Sequence, residues 1–229
     1  MCIRDSVNTD RRGRDMRDFR SKVAVITGAG SGMGRYLAVL LAKSGCDVVI
    51  CDVNEDTLAG TASMLKNYNV AVSSHLLDVG DEEAIKALPE KVIAQHGKVD
   101  LVFNNAGITI DSEFASMPEP DWDKVMDVNL HGVINMTRAF LPYLKDRPEA
   151  AVVNTSSIFG MIAVPRQSVY HATKFAVRGF TESLVKEMKG TSVQVHCVHP
   201  GHIGTNILTA AKVNRAAGES APSGLLGKA

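Results

Sequence analysis

The chain has 229 residues, enough for one substantial core and short for two, and its 45% hydrophobic and 22% charged residues are the balance of an ordinary globular protein. Its 25 basic and 25 acidic residues cancel, which leaves no overall field to draw nucleic acid or an anionic membrane. No apolar run has the length of a membrane span. Cys2, Cys46, Cys51 and Cys197 form no C-x-x-C pair, so they read as buried thiols of a cytoplasmic, reducing compartment.

The first fifteen residues, "MCIRDSVNTDRRGRD", are arginine-rich and lack an apolar stretch, which argues against a secretory signal. Asp5, Asp10 and Asp15 between the arginines argue against a transit peptide or a nucleic-acid arm. Residues 1–18 are therefore expected to be a disordered extension, with natural translation starting at Met16. From Lys22 onward short β-branched runs alternate with helical patterns, the signature of a parallel sheet wrapped by helices. Strands are expected at Val23–Thr27, Asp47–Cys51, Ala71–Leu76, Val99–Phe103, Ala151–Thr155 and Val193–Val198. Helices are expected at Gly32–Ser44, Glu55–Asn67, Asp81–His96, Glu119–Lys145 and Ser168–Lys189. Near-continuous apolar runs such as "VDLVFNN" fit strands covered on both faces. A catalytic domain over 19–208 precedes a tail, 209–229, read as short helix ("LTAAKVNRAA") or disordered ("GESAPSGLLGKA"), with no seventh strand.

"VAVITGAGSGMGR" sets Gly28, Gly30, Gly32 and Gly34 between the first strand and the first helix. Glycines there permit a tight turn and close approach of a pyrophosphate to a helix N-terminus. The spacing is T-G-x-x-x-G-x-G, because Met33 takes the last place of G-x-G-x-x-G. Asp52 closes the second strand, where a carboxylate accepts hydrogen bonds from the adenosine ribose and repels a 2′-phosphate. That favours NAD over NADP, and Arg35, after the last glycine, is expected to point elsewhere. Asp78 and Val79 in "LDVGD", and Asn105, Ala106 and Gly107 in "NNAG", follow the third and fourth strands, at the end of an open α/β sheet that binds ligands; each taken alone is also an ordinary turn residue. Tyr170 and Lys174, in "VYHATKFAV", are four apart and share one helix face. Ser157 ends "NTSS" after the fifth strand. His196, His199 and His202 recur at every third position, but residues three apart on a strand face opposite ways, which argues against a metal site. His171 faces another side of its helix and reads as structural.

The glycine loop, "NNAG", Asn129 in "MDVNLHG", Ser157, Y-x-x-x-K and Pro200–Gly201 occur in the order seen in short-chain dehydrogenases/reductases, which the chain resembles from about residue 20 to 207. The resemblance implies an α/β, Rossmann-like doubly wound parallel sheet with helices on both faces and a hydride-transferring oxidoreductase. It implies a small-molecule secondary alcohol or ketone as substrate, with NAD as cofactor and NADP the lesser choice. By position, it makes Tyr170 the general acid/base, Lys174 its activator and a ribose ligand, Ser157 the donor to the substrate oxygen and Asn129 the anchor of a water relay. It places Gly28, Ser31, Gly32, Met33, Gly34, Asp52, Asp78, Val79, Asn105, Ala106 and Gly107 against the cofactor, with Pro200, Gly201, Ile203 and Thr205 closing over its nicotinamide. A free tyrosine, with a pKa of about 10, is too weakly acidic to serve as a base near neutrality, and an adjacent ammonium and a cationic nicotinamide are expected to lower it. Ile108, Phe159, Met161, Pro165 and His202 give the expected substrate pocket an apolar lean. In the family the helices matching Glu119–Lys145 and Ser168–Lys189 form a four-helix interface, which implies a homodimer.

Members of that family continue past the Pro-Gly loop with a substrate-covering segment, a helix and a last strand, whereas this sequence stops where that segment begins to fold back. The alternative reading is a catalytically incomplete nucleotide-binding or scaffold protein of the same fold.

Overall fold

Val23–Thr27 is apolar up to its final threonine and is buried along its whole length, as a strand must be when helices cover both faces of the sheet. Its side chains alternate between two cores. Val23 and Val25 pack with Val49, Val102, Val152 and helical residues such as Ile85, Phe140 and Leu184, while Ala24 and Ile26 pack with Val48, Ile50, Leu41 and Leu58 on the other side. The computed structural model describes Met16, residues 18–201 and residues 212–214. Its order is β1 (Val23–Thr27), α1 (Gly32–Lys43), β2 (Asp47–Asp52), α2 (Glu55–Leu65), β3 (Val72–Leu76), α3 (Glu82–His96), β4 (Leu101–Asn104), β5 (Ile110–Asp111), α4 (Glu119–Met126), α5 (Gly132–Lys145), β6 (Ala150–Thr155), α6 (Ser168–Glu187), β7 (Val193–Val198) and β8 (Lys212–Val213).

Six strands form one parallel sheet in the order β3-β2-β1-β4-β6-β7, the doubly wound arrangement expected. Val25 stands opposite both Val49 and Val102. The order reverses between β1 and β4, so the loops leaving these two strands splay apart and open the crevice where such sheets bind ligands. Local chemistry sets the helix ends. Asn54 Oδ1 accepts from the Thr57 N–H at 2.9 Å and Asp81 Oδ1 from the Ala84 N–H at 3.0 Å, capping α2 and α3. Among the described residues no helix is long and apolar enough to cross a membrane, and Cys46, Cys51 and Cys197 are buried free thiols.

Three differences from the sequence reading concern the site. The helix expected over 119–145 is continuous but contains one wide π turn, Asp127–His131, between α4 and α5. The strand expected from Val99 begins at Leu101 and runs on to Asn104. Within "LTAAKVNRAA", Lys212–Val213 are extended rather than helical and pair in parallel with β5. Main-chain pairing and the ion pair of Lys212 with Asp121 at 2.7 Å override the helical propensity of this stretch. Residues 1–15, His202, Ile203, Thr205 and most of 209–229 lie outside the described residues.

Candidate active site

The first wall of the crevice is the turn from β1 into α1. Gly28 turns with φ 65°, and a side chain there would press on the Ala106 main chain at 2.9 Å. A Cβ at Gly34 would strike the Gly28 carbonyl and stand 2.7 Å from the Asn105 amide nitrogen, so the first turn of α1 lies directly on the loop. Ser31 is the N-cap in extended conformation and its side chain caps nothing, which leaves N–H groups of Gly32, Met33 and Gly34 able to bind an anion. Asn105 ties this wall to the next, donating from Nδ2 to the Thr27 carbonyl at 3.0 Å. The Thr27 hydroxyl in turn accepts from the Asn105 and Ala106 N–H groups at 3.0 and 3.1 Å.

Asp52 stands at the end of β2 beside the loop. One carboxylate oxygen accepts from the Gly30 N–H at 2.8 Å and the other from the Asn54 N–H at 3.0 Å. The Arg35 guanidinium donates to the Gly30 carbonyl, to the Thr57 carbonyl at 3.2 Å and to the Thr61 hydroxyl at 2.9 Å. Asp78 and Val79 follow β3. The Asp78 carboxylate accepts from the Gly80 N–H at 2.8 Å, and Val79 is buried against Gly132. A depression of about 540 Å³ opens beside Asp78, between it and Asp123, Lys124, Asp127 and Val128 of the α4 region, at this end of the crevice rather than beside Tyr170.

The opposite wall carries Ser157, Tyr170 and Lys174, all buried. The Ser157 hydroxyl, two residues past β6, accepts from the Phe159 N–H at 3.1 Å and lies on the same wall as the Tyr170 phenol. Lys174 lies one turn along α6 with Nζ 5.6 Å from the Tyr170 ring centroid, donating to the Thr155 carbonyl at 2.9 Å. Burial pushes Lys174 down to about 8 and raises the Tyr170 phenol above its ordinary value, the Ser157 hydroxyl restraining that rise. The lowering expected from the ammonium and a cationic nicotinamide together is a property of the cofactor-loaded cleft. In the protein without bound ligand, desolvation outweighs an ammonium directed at a carbonyl.

Asn129 is fully buried in the π turn. Its Nδ2 donates to the Ile108 carbonyl at 2.9 Å and its Oδ1 accepts from the Ile108 N–H at 2.8 Å, so the side chain pairs with one residue as a strand would. A Cβ on Gly107 would stand 3.3 Å from Asn129 Oδ1 and 3.4 Å from Lys174 Nζ. Gly107 thus brings "NNAG", the π turn and α6 together. Pro200 closes the far side, its carbonyl accepting from the Ile158 N–H at 2.9 Å, and Gly201 beside it is exposed.

Several participants were not singled out from the sequence. Thr61 donates to the Ala29 carbonyl at 2.9 Å and, with Arg35, fastens the glycine loop from α1 and α2. Asn104 and Asn154 stand opposite each other on β4 and β6, bonded at 2.7 Å and flanked by Thr137 and Thr181, and form a buried polar layer under the site. His171 has the structural place expected, joining the Phe159 carbonyl at 2.9 Å to the Val164 N–H at 2.9 Å. Isolated Thr and Asn carry no periodic signal; only spatial pairing reveals them.

Comparison with known proteins is consistent with this cleft. The family model described as short chain dehydrogenase matches residues 22–216. The Mycobacterium tuberculosis protein named oxidoreductase SadH is 45% identical over 200 residues, covering 86% of this chain and 72% of that one. The 3-oxoacyl-(acyl-carrier-protein) reductase FabG of Thermotoga maritima is 37% identical over 187 residues, covering 82% and 76%. A short-chain dehydrogenase/reductase from Burkholderia phymatum, solved with NAD, is similar at a TM-score of 0.83 and 36% identity, covering 85% of this chain and 70% of that one. A metagenomic short-chain oxidoreductase solved with NADP gives 0.77 and 30%, covering 81% and 84%. A crevice at the strand-order reversal, glycine-cradled on one wall and lined by buried Ser157, Tyr170 and Lys174 on the other, together with a family match across most of the sequence, leads to one assignment: the chain belongs to the short-chain dehydrogenase family of nicotinamide-dependent oxidoreductases.

Proposed function

We propose that the protein interconverts a secondary alcohol and a ketone with NAD(H), using Tyr170 as general acid/base. The observation that carries this reading is the buried Ser157–Tyr170–Lys174 wall, in which the lysine Nζ stands 5.6 Å from the tyrosine ring centroid. When bound, the nicotinamide supplies or accepts the hydride. The chain's own residues do the rest. The uncapped start of α1 and the glycine cradle hold the pyrophosphate, and Asp52 holds the ribose. Ser157 orients the substrate oxygen, and Tyr170, protonated at neutral pH, delivers its proton to that oxygen during reduction. In oxidation the phenol first gives up its proton to solvent, and the phenolate then takes the alcohol proton. The ammonium of Lys174, in its charged form below about 8, stabilises that phenolate. Asn129 holds Ile108, and through it the "NNAG" segment, beside Lys174.

Relatives solved with NAD and with NADP both exist, so the preference for NAD rests on residues of this chain. Asp52 is fixed by two main-chain N–H groups, and Arg35, the cation nearest the loop in sequence, is spent on carbonyls and Thr61.

The test is NADH formation from NAD⁺ with cyclohexanol and benzylic secondary alcohols, comparing wild type with Tyr170→Phe. The variant is expected to lose about a thousandfold in turnover, while NADH still raises its melting midpoint as it does in wild type. Equal turnover in the two proteins would reject Tyr170 as the acid/base. Cofactor-dependent melting shifts without turnover in wild type would support the scaffold reading instead.

A further inference from the structure

Arg166 lies two residues before α6 and four before Tyr170. Its backbone is left-handed, φ 67°, a conformation that glycine takes without strain and arginine does not. What holds it there is bonding on both sides of the residue. Its carbonyl accepts from the Ser112 N–H at 3.1 Å. Its guanidinium, 12% exposed, donates through Nε to Asp111 Oδ1 at 2.5 Å and through Nη2 to the Asn214 carbonyl at 3.1 Å. The next residue, Gln167, is the N-cap of α6 and accepts from the Thr109 hydroxyl at 2.5 Å. The turn that starts the helix of Tyr170 is thus bonded to the β5 segment by main chain and side chain alike.

Asp111 has two further ties. Its carbonyl accepts from the Asn214 N–H at 2.9 Å and it pairs with Val213 in the two-stranded sheet. Asn214 and Lys212 both reach Asp121 on α4, at 2.8 and 2.7 Å. Residues 111, 166 and 214, far apart in sequence, therefore meet at one guanidinium. The Asp111 side chain is only 11% exposed, so removal of its partner would leave a carboxylate with little water to compensate.

We propose that Arg166 is a positioning residue: through Asp111 and the Asn214 carbonyl it locks β5 and β8 onto the turn that starts the catalytic helix, and so fixes where Tyr170 stands. The role rests on the dehydrogenase reading for its effect on turnover, but the lock itself is a property of the fold. Arg166→Gly separates backbone from side chain, since glycine suits the left-handed turn while removing the guanidinium. Hydrogen exchange of the full-length protein is expected to speed up in both 168–173 and 212–214, with β1 unchanged. Turnover with NAD⁺ and cyclohexanol is expected to fall about tenfold or more, with KM moving less than about threefold, the mark of a misplaced acid/base group rather than a lost binding contact. Arg166→Lys keeps the ion pair to Asp111 and recovers part of both effects. General destabilisation would speed exchange in β1 as well and would not divide kcat from KM. Exchange at wild-type rates in either segment, or unchanged kcat in Arg166→Gly, overturns the proposal. If wild type turns over no alcohol but both segments loosen together, the lock stands and the dehydrogenase reading falls.

Discussion

The two walls of the cleft are built on opposite principles. The glycine-loop wall is assembled from backbone: main-chain N–H groups bonded to Asp52 and Thr27, carbonyls bonded to Arg35, Asn105 and Thr61, and close approaches that admit no side chain. The Tyr170 wall is assembled from ionisable side chains taken out of water, with Lys174 pushed down to about 8 and Tyr170 raised, both by burial. The first wall gains stability from its arrangement; the second gives some up. A binding surface can satisfy every polar group it has, whereas an acid/base site must hold a group whose charge is easily changed, and burial supplies that at a cost in stability.

The largest effect expected from breaking this contrast comes at Gly34. A methyl group there meets the Gly28 carbonyl, which cannot yield without moving the loop, so Gly34→Ala is expected to cost about 3 kcal/mol or more and to abolish the NADH-dependent melting shift. Gly30→Ala is the milder control. Its methyl group meets the Thr57 hydroxyl at 2.5 Å and the Asp52 carboxylate at 2.8 Å, side-chain atoms rather than main chain, so it is expected to cost less stability while displacing Asp52 from the Gly30 N–H. Thermal melts with and without NADH separate the two. A Gly34→Ala protein that melts and binds as wild type would show that the first wall is not rigid.

The same contrast explains what could be read from the sequence. The first wall was legible because its requirements are steric and local: glycines at a strand–helix junction and a carboxylate ending the next strand announce themselves by position. Strand β1 and the sheet type followed from runs such as Val23–Ile26 that leave no face for water. On the second wall, sequence order placed Ser157, Tyr170 and Lys174, but not the Thr155 carbonyl that takes the lysine's hydrogen bond, which is invisible in a motif. The π turn at Asn129 and the strand at Lys212–Val213 were missed for a related reason. Each is imposed by a distant partner, Ile108 in one case and Ile110–Asp111 in the other, and local propensity carries no trace of it.

A smaller effect, of opposite sign, is expected at Lys174. Its folded value of about 8 lies below the ordinary lysine value of 10.5, so between these the unfolded chain binds more protons and stability rises with pH. Below about 8 the folded protein carries the full cost of a buried ammonium. That difference corresponds to about 3 kcal/mol, of which the hydrogen bond to the Thr155 carbonyl returns about 1 kcal/mol. Lys174→Met is therefore expected to melt roughly 5 °C higher near neutral pH, to lose this advantage above about pH 10, and to be inactive with any alcohol. Melts across that pH range check it. A variant less stable than wild type at neutral pH would mean that the lysine supports the second wall rather than straining it.

The smallest effect belongs to Asp52 and tests whether the first wall discriminates by charge. Asn at this position keeps an oxygen to accept the Gly30 N–H but removes the negative charge that repels a 2′-phosphate. Because Arg35 is tied to the Gly30 and Thr57 carbonyls and to Thr61, no guanidinium swings in to hold the phosphate once the charge is gone. Asp52→Asn should consequently relax the preference rather than reverse it, narrowing the NAD(H) advantage by about tenfold, or about 1.4 kcal/mol, with little change in stability without ligand. Melting shifts of wild type and variant with NAD⁺, NADH, NADP⁺ and NADPH measure this directly. Wild-type shifts as large with NADP(H) as with NAD(H) would show that Asp52 does not select the cofactor, and a variant that prefers NADP(H) outright would show that Arg35 leaves its carbonyls when a phosphate is offered.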